Sequence, residues 1–395
     1  MDKLASRNAH RTVGCSIHRV EQTEHQLKYL RPRTTPQSIH RSLLGDPDCL
    51  RSLIFDRASC EFRTDSTEQP HDFTCHAYNA DGDYNASMNT PRIICRQQLG
   101  DLLLHQPATE FLSSSREDDA LVLTRTGHSA LVELMPGVSL GTSPMSTGCE
   151  ESFCFDAKLS SILLSLNVKR RNRTLLIPAK KINALHRSLF GNIIDSSKGN
   201  RYTALALFTA VGGRSADFRP PRLRPPPEDW HLPNIPERYF LLHPTSAWQR
   251  KCLAPQRWVS VLANTGVRVP IILTSGGTDW EEETCNTIEN GLLDKGLDVR
   301  NLSGKTSLNN YLALLSRSML TLCVDGSSSH ISSAFSRPTF TLFGPTNPVH
   351  WHWPTPASVR LWARDFSSER HPSTNSIPED AIIRALSSFL SDNAL

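Results

Sequence analysis

The chain has 395 residues, which is too long for one ordinary hydrophobic core, so two domains and an additional segment are expected. Its composition, 38% hydrophobic and 21% charged, is that of a globular protein. The formal net charge of +4 is small for this length and excludes a chain-wide attraction to nucleic acid or to anionic membranes. Any strongly basic surface must therefore be local.

Targeting and redox signals are weak. The sequence holds no run near the roughly 20 apolar residues that cross a bilayer, and its first residues lack the apolar core of a secretory signal. We therefore predict a cytoplasmic protein. The ten cysteines form no repeated Cys-x-x-Cys pair, which argues against a zinc cage or a disulfide framework, so we expect reduced thiols, several of them in the core.

Residues 1–88 differ from the rest of the chain. They are rich in His, Arg, Thr and Asp and lack sustained apolar periodicity, which predicts a weakly ordered N-terminal extension. A metal site could be considered there, for example one using Cys60, His71, Cys75 and His76, but their spacing matches no familiar zinc module. We predict no metal site.

From Pro91 onward, short apolar runs alternate with helical patterns. They are, in order, RIIC, a helix over 101–112, ALVLT, LVEL ending at Pro136-Gly137, SFCFDAKLSSILLSLNV, TLLIPAKK and a helix over 202–211. This alternation is typical of parallel βα units and predicts an N-terminal α/β domain over 91–218. Residues 219–236 are so rich in proline that no helix or interior strand persists there, which predicts an interdomain linker.

A second series begins at RYFLLHP. It continues with a helix over 255–264, the strand VPIILT and its turn SGG, a helix over 279–292, DVRNLSG, the helix SLNNYLALLSRS, MLTLCVD, the helix HISSAFS and TFTLFG. Five strand-helix repeats predict a doubly wound sheet in a C-terminal domain over 237–365. An amphipathic helix within 376–392 must bury its apolar side, and we expect it to pack back across the lobes.

The most informative stretch follows the strand MLTLCVD, where Asp325 precedes a turn of small residues that opens a helix. Ligands of such sheets lie beyond the carboxyl ends of the strands, and free N–H groups at helix starts hold phosphate. The turn 326–329 is therefore placed to contact a diphosphate, with Asp325 available for a sugar hydroxyl. A purely structural turn is an open alternative, and His330 alone indicates a buried structural histidine as readily as a functional one.

Several segments resemble glycosyltransferase family 9, the heptosyltransferases. The Asp, the small residues, the His and RPTFTLFGPTNP resemble its C-terminal signature, and FLLHPTSAWQRKCLAPQRW, IILTSGGTDWEEE and VRNLSGKTSLNNYLALLSRS resemble three upstream elements. In the first half, PRIICRQQLGDLLLHQPATEFL resembles the family's opening strand, loop and helix with its Gly-Asp pair. The resemblance covers about 91–390.

The resemblance implies an α/β protein of two facing Rossmann-like doubly wound domains, the GT-B glycosyltransferase fold. It implies an inverting, metal-independent transfer of heptose from ADP-heptose to the lipopolysaccharide inner core, without a further cofactor. The implied partners are the nucleotide sugar and the lipopolysaccharide core acceptor. Nucleic acid is not among them; the protein is expected to be a monomer, with peripheral association at the cytoplasmic face of the inner membrane.

The resemblance also assigns residues. Asp101 matches the general base, although an acid at a helix start is also favoured by the helix dipole alone. Lys251 matches the cation that neutralises the leaving diphosphate, where the plain alternative is a solvated lysine. The turn 275–277 either allows close approach of a nucleotide or is an ordinary loop turn. Residues 302–304 are expected to contact the adenine. The implied donor-binding residues are Thr245, Ser246, Lys251, Ser275, Gly276, Gly277, Leu302, Gly304, Asp325, Gly326, Ser327, Ser328 and His330.

Basic residues of the first domain are candidates for the anionic acceptor, since clustered cations suit carboxylates and phosphates. They are Lys158, Arg171, Lys180 and Lys181, and an ordinary solvated face is the alternative.

This sequence departs from the family pattern at two places. Gly326 precedes Ser327, and the tryptophan expected after Lys251 is absent from the segment KCLAP. Two alternatives therefore stay open: a catalytically weakened nucleotide-sugar-binding scaffold, or a family member that uses another nucleotide sugar.

Overall fold

A computed structural model describes residues 90–115, 119–141, 149–197, 199 and 201–394, which lie within one compact unit, 83–395. The predicted extension, 1–88, and the cysteines and histidines weighed there as metal ligands fall outside the described residues. All six cysteines that the structure describes are free thiols, and five of them are buried.

The first half of the unit is built on a six-stranded parallel sheet with the strand order β3-β2-β1-β4-β5-β6. Its strands are β1 (Arg92–Ile94), β2 (Ala120–Leu123), β3 (Val138–Leu140), β4 (Ser152–Cys154), β5 (Arg173–Ile177) and β6 (Asn192–Asp195). Its helices are α1 (Leu99–Leu104), α2 (Gln106–Ser114), α3 (Ser129–Leu134), α4 (Leu159–Ser165), α5 (Ala184–Leu189) and α6 (Thr203–Ala210).

The helix predicted over 101–112 is in fact two helices that meet at His105. Pro107 stands in the first turn of α2 and has no N–H to donate, so a continuous helix would lose a hydrogen bond and place the proline ring against a carbonyl. The break ends α1 at Leu104, so Asp101 lies in the first turn of a helix of only six residues.

The second half repeats the architecture, with the strand order β12-β11-β10-β7-β8-β9 and all neighbours parallel. Its strands are β7 (Phe240–His243), β8 (Ile271–Leu273), β9 (Val299–Asn301), β10 (Leu320–Val324), β11 (Thr339–Phe343) and β12 (Ser358–Trp362). Its helices are α7 (Pro255–Asn264), α8 (Asp279–Leu293), α9 (Leu308–Arg317), α10 (Ser327–Ala334), α11 (Pro348–Trp351) and α12 (Glu379–Asp392).

In each sheet the order of the strands reverses beside the strand that comes first in the chain, β1 or β7. This is the arrangement of a doubly wound Rossmann-like domain. The prediction of two such α/β domains is confirmed. Strand β12 escaped prediction because only its first residue is fully buried, so it carries no continuous apolar run. In both sheets the carboxyl ends of the strands share one edge, and loops at that edge supply the candidate site.

The two halves share packing. One apolar cluster joins Leu102 and Leu131 of the first half with Leu312 and Ile331 of the second. Residues 219–236 form one short 3-10 turn and otherwise no helix or strand. Their backbone amides make hydrogen bonds with both halves. The Leu223 amide donates to Ala334 at the end of α10, and the next amide donates to Leu134 at the end of α3. The exact domain boundaries stay a prediction.

The expected path of the C-terminal helix needs a correction. The buried side chains of α12, such as Ile382 and Leu386, join the core of the second half and pack on α7, rather than crossing back over the lobes. The reason is that α7 turns Val261 and Leu262 toward the same core, and the apolar side of α12 is buried against them. Along the described residues, no helix has both the length and the apolarity that a membrane crossing requires.

Candidate active site at the carboxyl edges of the sheets

The turn after β10 lies at the centre of the candidate site. Gly326 is extended and precedes α10, and the Ser329 hydroxyl donates to its carbonyl over 2.9 Å, which fixes the turn. The first N–H groups of a helix have no carbonyl partner within it and carry the positive end of the helix dipole. The start of α10 is thus suited to an anion such as a diphosphate.

A buried ion pair lies beside this turn. Lys251 Nζ is 2.8 Å from Oδ2 of Asp325, whose side chain is only 4% exposed, and the Thr346 hydroxyl donates to the same oxygen. Lys251 also lies over the ring of Trp248, 5.6 Å from its centroid. The sequence predicted Lys251 and Asp325 as separate donor contacts, whereas the structure brings them into contact with each other. Thr346 was missed, although its segment GPTNP was recognised.

Two glycine turns meet on the other side of β7. Gly277 and Gly304 have positive φ angles of 80° and 67°, and a Cβ on Gly277 would lie 3.2 Å from the Gly304 Cα. A Cβ on Gly304 would lie 2.1 Å from a carboxylate oxygen of Glu282. The positive φ angles therefore favour glycine at both positions, and at Gly277 the nearby backbone of the other turn favours it as well, whereas the Glu282 side chain beside Gly304 can rotate away. The predicted segments 275–277 and 302–304 do come together; their contact with a nucleotide stays a prediction.

Two titratable side chains beneath these turns were missed. Burial lowers the pKa of His243 to about 4, so its ring is neutral at pH 7, and its Nδ1 lies 3.0 Å from the Thr274 hydroxyl. Burial alone would raise the pKa of Glu281, but its polar surroundings more than offset burial, chiefly the Thr278 hydroxyl, which donates to the carboxylate over 2.7 Å, so the pKa lies below its usual value. His243 ends a strand in the segment HPTS, and this position was the available signal.

The serines of the turn are not equivalent. Ser328 is 1% exposed, and its hydroxyl accepts a 2.7 Å hydrogen bond from the buried Tyr311. The Ser328 hydroxyl thus lies beneath the turn and supports it, and the predicted contact of Ser328 with a donor, through the backbone N–H groups of the turn, stays a prediction. Ser327 and His330 are partly exposed at the start of α10, where a ligand can reach them. Ser246 and Ser275 are likewise at loop positions, whereas Thr245 is fully buried.

The start of α1 docks directly on the start of α10. A Cβ on Gly100 would lie 3.1 Å from Cδ2 of His330 and 3.4 Å from Cα of Ser327. A Cβ at Gly100 would fit only if the His330 ring shifted by a few tenths of an ångström, so the two helix starts are in close contact. Asp101, the next residue, is half-buried in the first turn of α1. The predicted proton acceptor is thus one residue from the contact with the phosphate turn, and its role stays a prediction.

The predicted acceptor residues divide between the two edges of the first sheet. Lys158 follows β4, and Lys180 and Lys181 follow β5, so all three lie at the carboxyl edge. Arg171 precedes β5 and therefore lies at the opposite, amino edge. Its assignment to the acceptor site is wrong, because in a parallel sheet the segments before and after a strand are separated by the strand's whole length.

Arg96 and Arg125 were missed at the carboxyl edge. Both Lys158 Nζ and Arg125 Nε donate to the Arg96 carbonyl, over 2.6 and 3.0 Å. The buried Asp156 accepts from the backbone amides of Arg96 and Lys158, each over 2.9 Å. Burial and the neighbouring cations lower the pKa of His128. Each cation follows a strand of the same sheet, and that shared position was the signal.

No group of three or more His, Cys, Asp or Glu side chains within the described ranges is arranged to hold a metal ion. Metal independence of the chemistry itself stays a prediction.

Comparisons with known proteins agree with this architecture. Residues 201–376 match the model of glycosyltransferase family 9 (heptosyltransferase). A lipopolysaccharide heptosyltransferase 3 of Escherichia coli is 24% identical over 184 residues, which are 45% of this chain and 51% of that protein. The chain thus spans about half the length of the curated relatives that it matches.

Solved structures extend the likeness to the fold. E. coli ADP-heptose lipopolysaccharide heptosyltransferase II aligns with a TM-score of 0.62 at 17% identity, covering 78% of this chain and all of that one. A family 9 glycosyl transferase from Veillonella parvula aligns with a TM-score of 0.63 at 14% identity, over 78% and 98%. At these identities the alignments establish the fold alone.

Proposed function

We propose that this protein, whose residues 201–376 match the model of glycosyltransferase family 9, is an inverting, metal-independent glycosyltransferase that transfers heptose from ADP-heptose to the lipopolysaccharide inner core. The observation that carries the proposal is the contact of Gly100 with Ser327 and His330. It joins the start of α1, which bears the only acid of that helix, to the start of α10, which suits an anion. A proton acceptor and a diphosphate site are thereby adjacent.

The donor is held by the second half. Its diphosphate lies at the start of α10, where unpaired N–H groups and the helix dipole favour negative charge. Lys251 adds a full positive charge, and its bond to Asp325 keeps that charge in place before the donor arrives. Asp325 Oδ2 is already occupied by Lys251 and Thr346, so its other oxygen is the one that accepts a sugar hydroxyl. The nucleoside extends over the turns of Gly277 and Gly304.

Transfer needs one base and a stabilised leaving group. The bond between the anomeric carbon and the diphosphate breaks as the acceptor oxygen attacks the opposite face, which inverts the configuration. Asp101 takes the proton of the acceptor hydroxyl, and Lys251 with the start of α10 stabilises the charge that develops on the departing ADP. The short α1, ended at His105, keeps Asp101 at this position.

The acceptor lies against the carboxyl edge of the first sheet. Arg96, Arg125 and Lys158 converge there, and Lys180 and Lys181 follow the next strand, so an anionic core oligosaccharide finds several cations. We place the reaction in the cytoplasm, at the face of the membrane that carries such an acceptor.

The test separates binding from turnover. Calorimetry with ADP-heptose and with ADP should give similar affinities for the wild-type protein and Asp101→Asn, while product formation falls by about 10²- to 10⁴-fold, as expected for loss of a general base. Asp294→Asn, which changes an exposed acid at the end of α8, is the matched control and should keep both the affinity and the product formation of the wild type.

Two results would contradict the proposal. Full activity of Asp101→Asn would remove Asp101 as the base. Tight binding of ADP-heptose by the wild-type protein without any product on lipopolysaccharide acceptors would instead identify a nucleotide-sugar-binding scaffold.

A further inference from the structure

The segment that precedes α12 lies against the turn that carries Lys251. We call this segment, residues 371–377, the C-terminal strap; its 3-10 turn, Thr374–Ser376, ends three residues before α12 begins. At one end of the strap, the Arg250 guanidinium donates to the His371 carbonyl over 2.7 Å. At the other end, the buried apolar side of α12 holds the chain to the core of the second half. The strap is thereby anchored at both ends.

Three consecutive side chains of the strap bond to three consecutive carbonyls of the Lys251 turn. Ser373 donates to the Arg250 carbonyl over 3.4 Å, Thr374 to the Lys251 carbonyl over 2.7 Å, and the Asn375 amide to the Cys252 carbonyl over 3.5 Å. Thr374 makes the shortest of these bonds and is the only one of the three side chains that is fully buried. Carbonyls at the end of a helical turn have no partner within it, so the strap supplies the donors that this turn lacks.

Thr374 also contacts the loop that supports Asp325. Gly344 follows β11, and a Cβ there would lie 2.8 Å from the amide nitrogen of Thr374. A backbone atom cannot give way cheaply, so glycine is needed for this close approach. Two residues further along the chain, the Thr346 hydroxyl donates to Asp325, the partner of Lys251. Thr374 thus lies between the two segments that provide the partners of the Asp325 carboxylate.

We propose that Thr374 is a positioning residue, which holds the turn of Lys251 so that its ammonium group meets both Asp325 and the leaving diphosphate. This inference rests on the proposed function, in which Lys251 stabilises that diphosphate. Such stabilisation depends on charges that are in place before the reaction, and an error of about 1 Å can cost about 10²-fold in rate. Because the Thr374 side chain is 0% exposed and its hydroxyl bonds to backbone, it acts through Lys251 rather than on the ligand.

The experiment measures ADP affinity by calorimetry and the kcat of heptose transfer, both with the full chain. Thr374→Val keeps the shape of the side chain and removes the hydroxyl, so we expect the Kd for ADP to rise about tenfold and kcat to fall about 10²-fold. Thr374→Ser keeps the hydroxyl and should restore both values to within about threefold of the wild type. The matched control is Thr265→Val, which removes another buried hydroxyl that donates to a backbone carbonyl, over 3.2 Å, and should change neither value.

A double variant separates positioning from a general loss of structure. In the Lys251→Met background, Thr374→Val should change the already weakened ADP affinity by less than about twofold, because two residues that act through one charge are not additive. A full further loss in that background would show that Thr374 acts independently of Lys251 and would overturn the proposal. Wild-type affinity and turnover in Thr374→Val would overturn it as well.

Circular dichroism checks the folding of every variant. If Thr374→Val does not fold, Asn375→Ala replaces it, since that side chain is exposed and bonds to the same turn. It should raise the Kd for ADP about threefold, and an unchanged Kd would contradict the proposal. Wild-type protein that binds ADP without transferring heptose would refute the transfer reaction alone, because ADP affinity still reports on Thr374. Wild-type protein that does not bind ADP would refute both.

Discussion

Replacing Lys251 by Met tests the buried ion pair next to the phosphate turn. At 2.8 Å, two unit charges attract by about 6 kcal/mol at an effective dielectric constant of about 20. Removal of one partner from a buried pair typically costs about 3–5 kcal/mol, because the other charge stays buried. The Lys251 side chain is 18% exposed, so we take the lower end, about 3 kcal/mol.

Thermal unfolding followed by circular dichroism measures this loss. A change of about 3 kcal/mol in a unit of this size should lower Tm by about 5 °C. Lys251→Met with Asp325→Asn removes both charges and should recover most of the stability, since no uncompensated carboxylate remains. Lys295→Met, at an exposed lysine, is the control and should change Tm by less than about 1 °C.

A second readout separates stability from function. Both Lys251→Met proteins should lose affinity for ADP in calorimetry, because the double variant restores the fold without the positive charge. The reasoning is refuted if Lys251→Met is as stable as the wild type, or if the double variant is as unstable as the single one. Undiminished ADP binding would remove Lys251 from the diphosphate site.

Three further outcomes follow from the geometry. Gly277→Ala should lower both Tm and ADP affinity more than Gly296→Ala does in the same assays, because both glycines have positive φ but only a Cβ at Gly277 would meet neighbouring backbone, the Gly304 Cα at 3.2 Å, so an equal effect would exclude the clash. The free energy of unfolding should fall as pH drops from about 6.5 toward 4, because the unfolded chain protonates His243 first; urea titrations of His243→Gln should show a flatter dependence, by up to about 3 kcal/mol. Lys158→Ala should raise the KM for an anionic acceptor, whereas Arg171→Ala should not, and a rise with Arg171→Ala would contradict its placement at the amino edge.

Local features of the sequence determined the elements and the turn chemistry. Helix α7 has the predicted bounds, because Pro255 is favoured at a helix start and an apolar stripe follows it at helical spacing. The turn of small residues after MLTLCVD was recognised for the same kind of reason, since a buried strand, an acid and a helix start are consecutive in the chain. The resemblance to family 9 depended on such consecutive motifs.

Tertiary structure alone decided which of these residues meet. Lys251 and Asp325 are 74 residues apart, and no local pattern states that a lysine after one strand reaches the carboxylate after another. Arg171 resembled its basic neighbours in sequence, and only the direction of β5 placed it at the far edge of the sheet. Propensities act within a few residues along the chain, whereas strand order and crossover direction set the distances between loops, and the candidate site is made of loops.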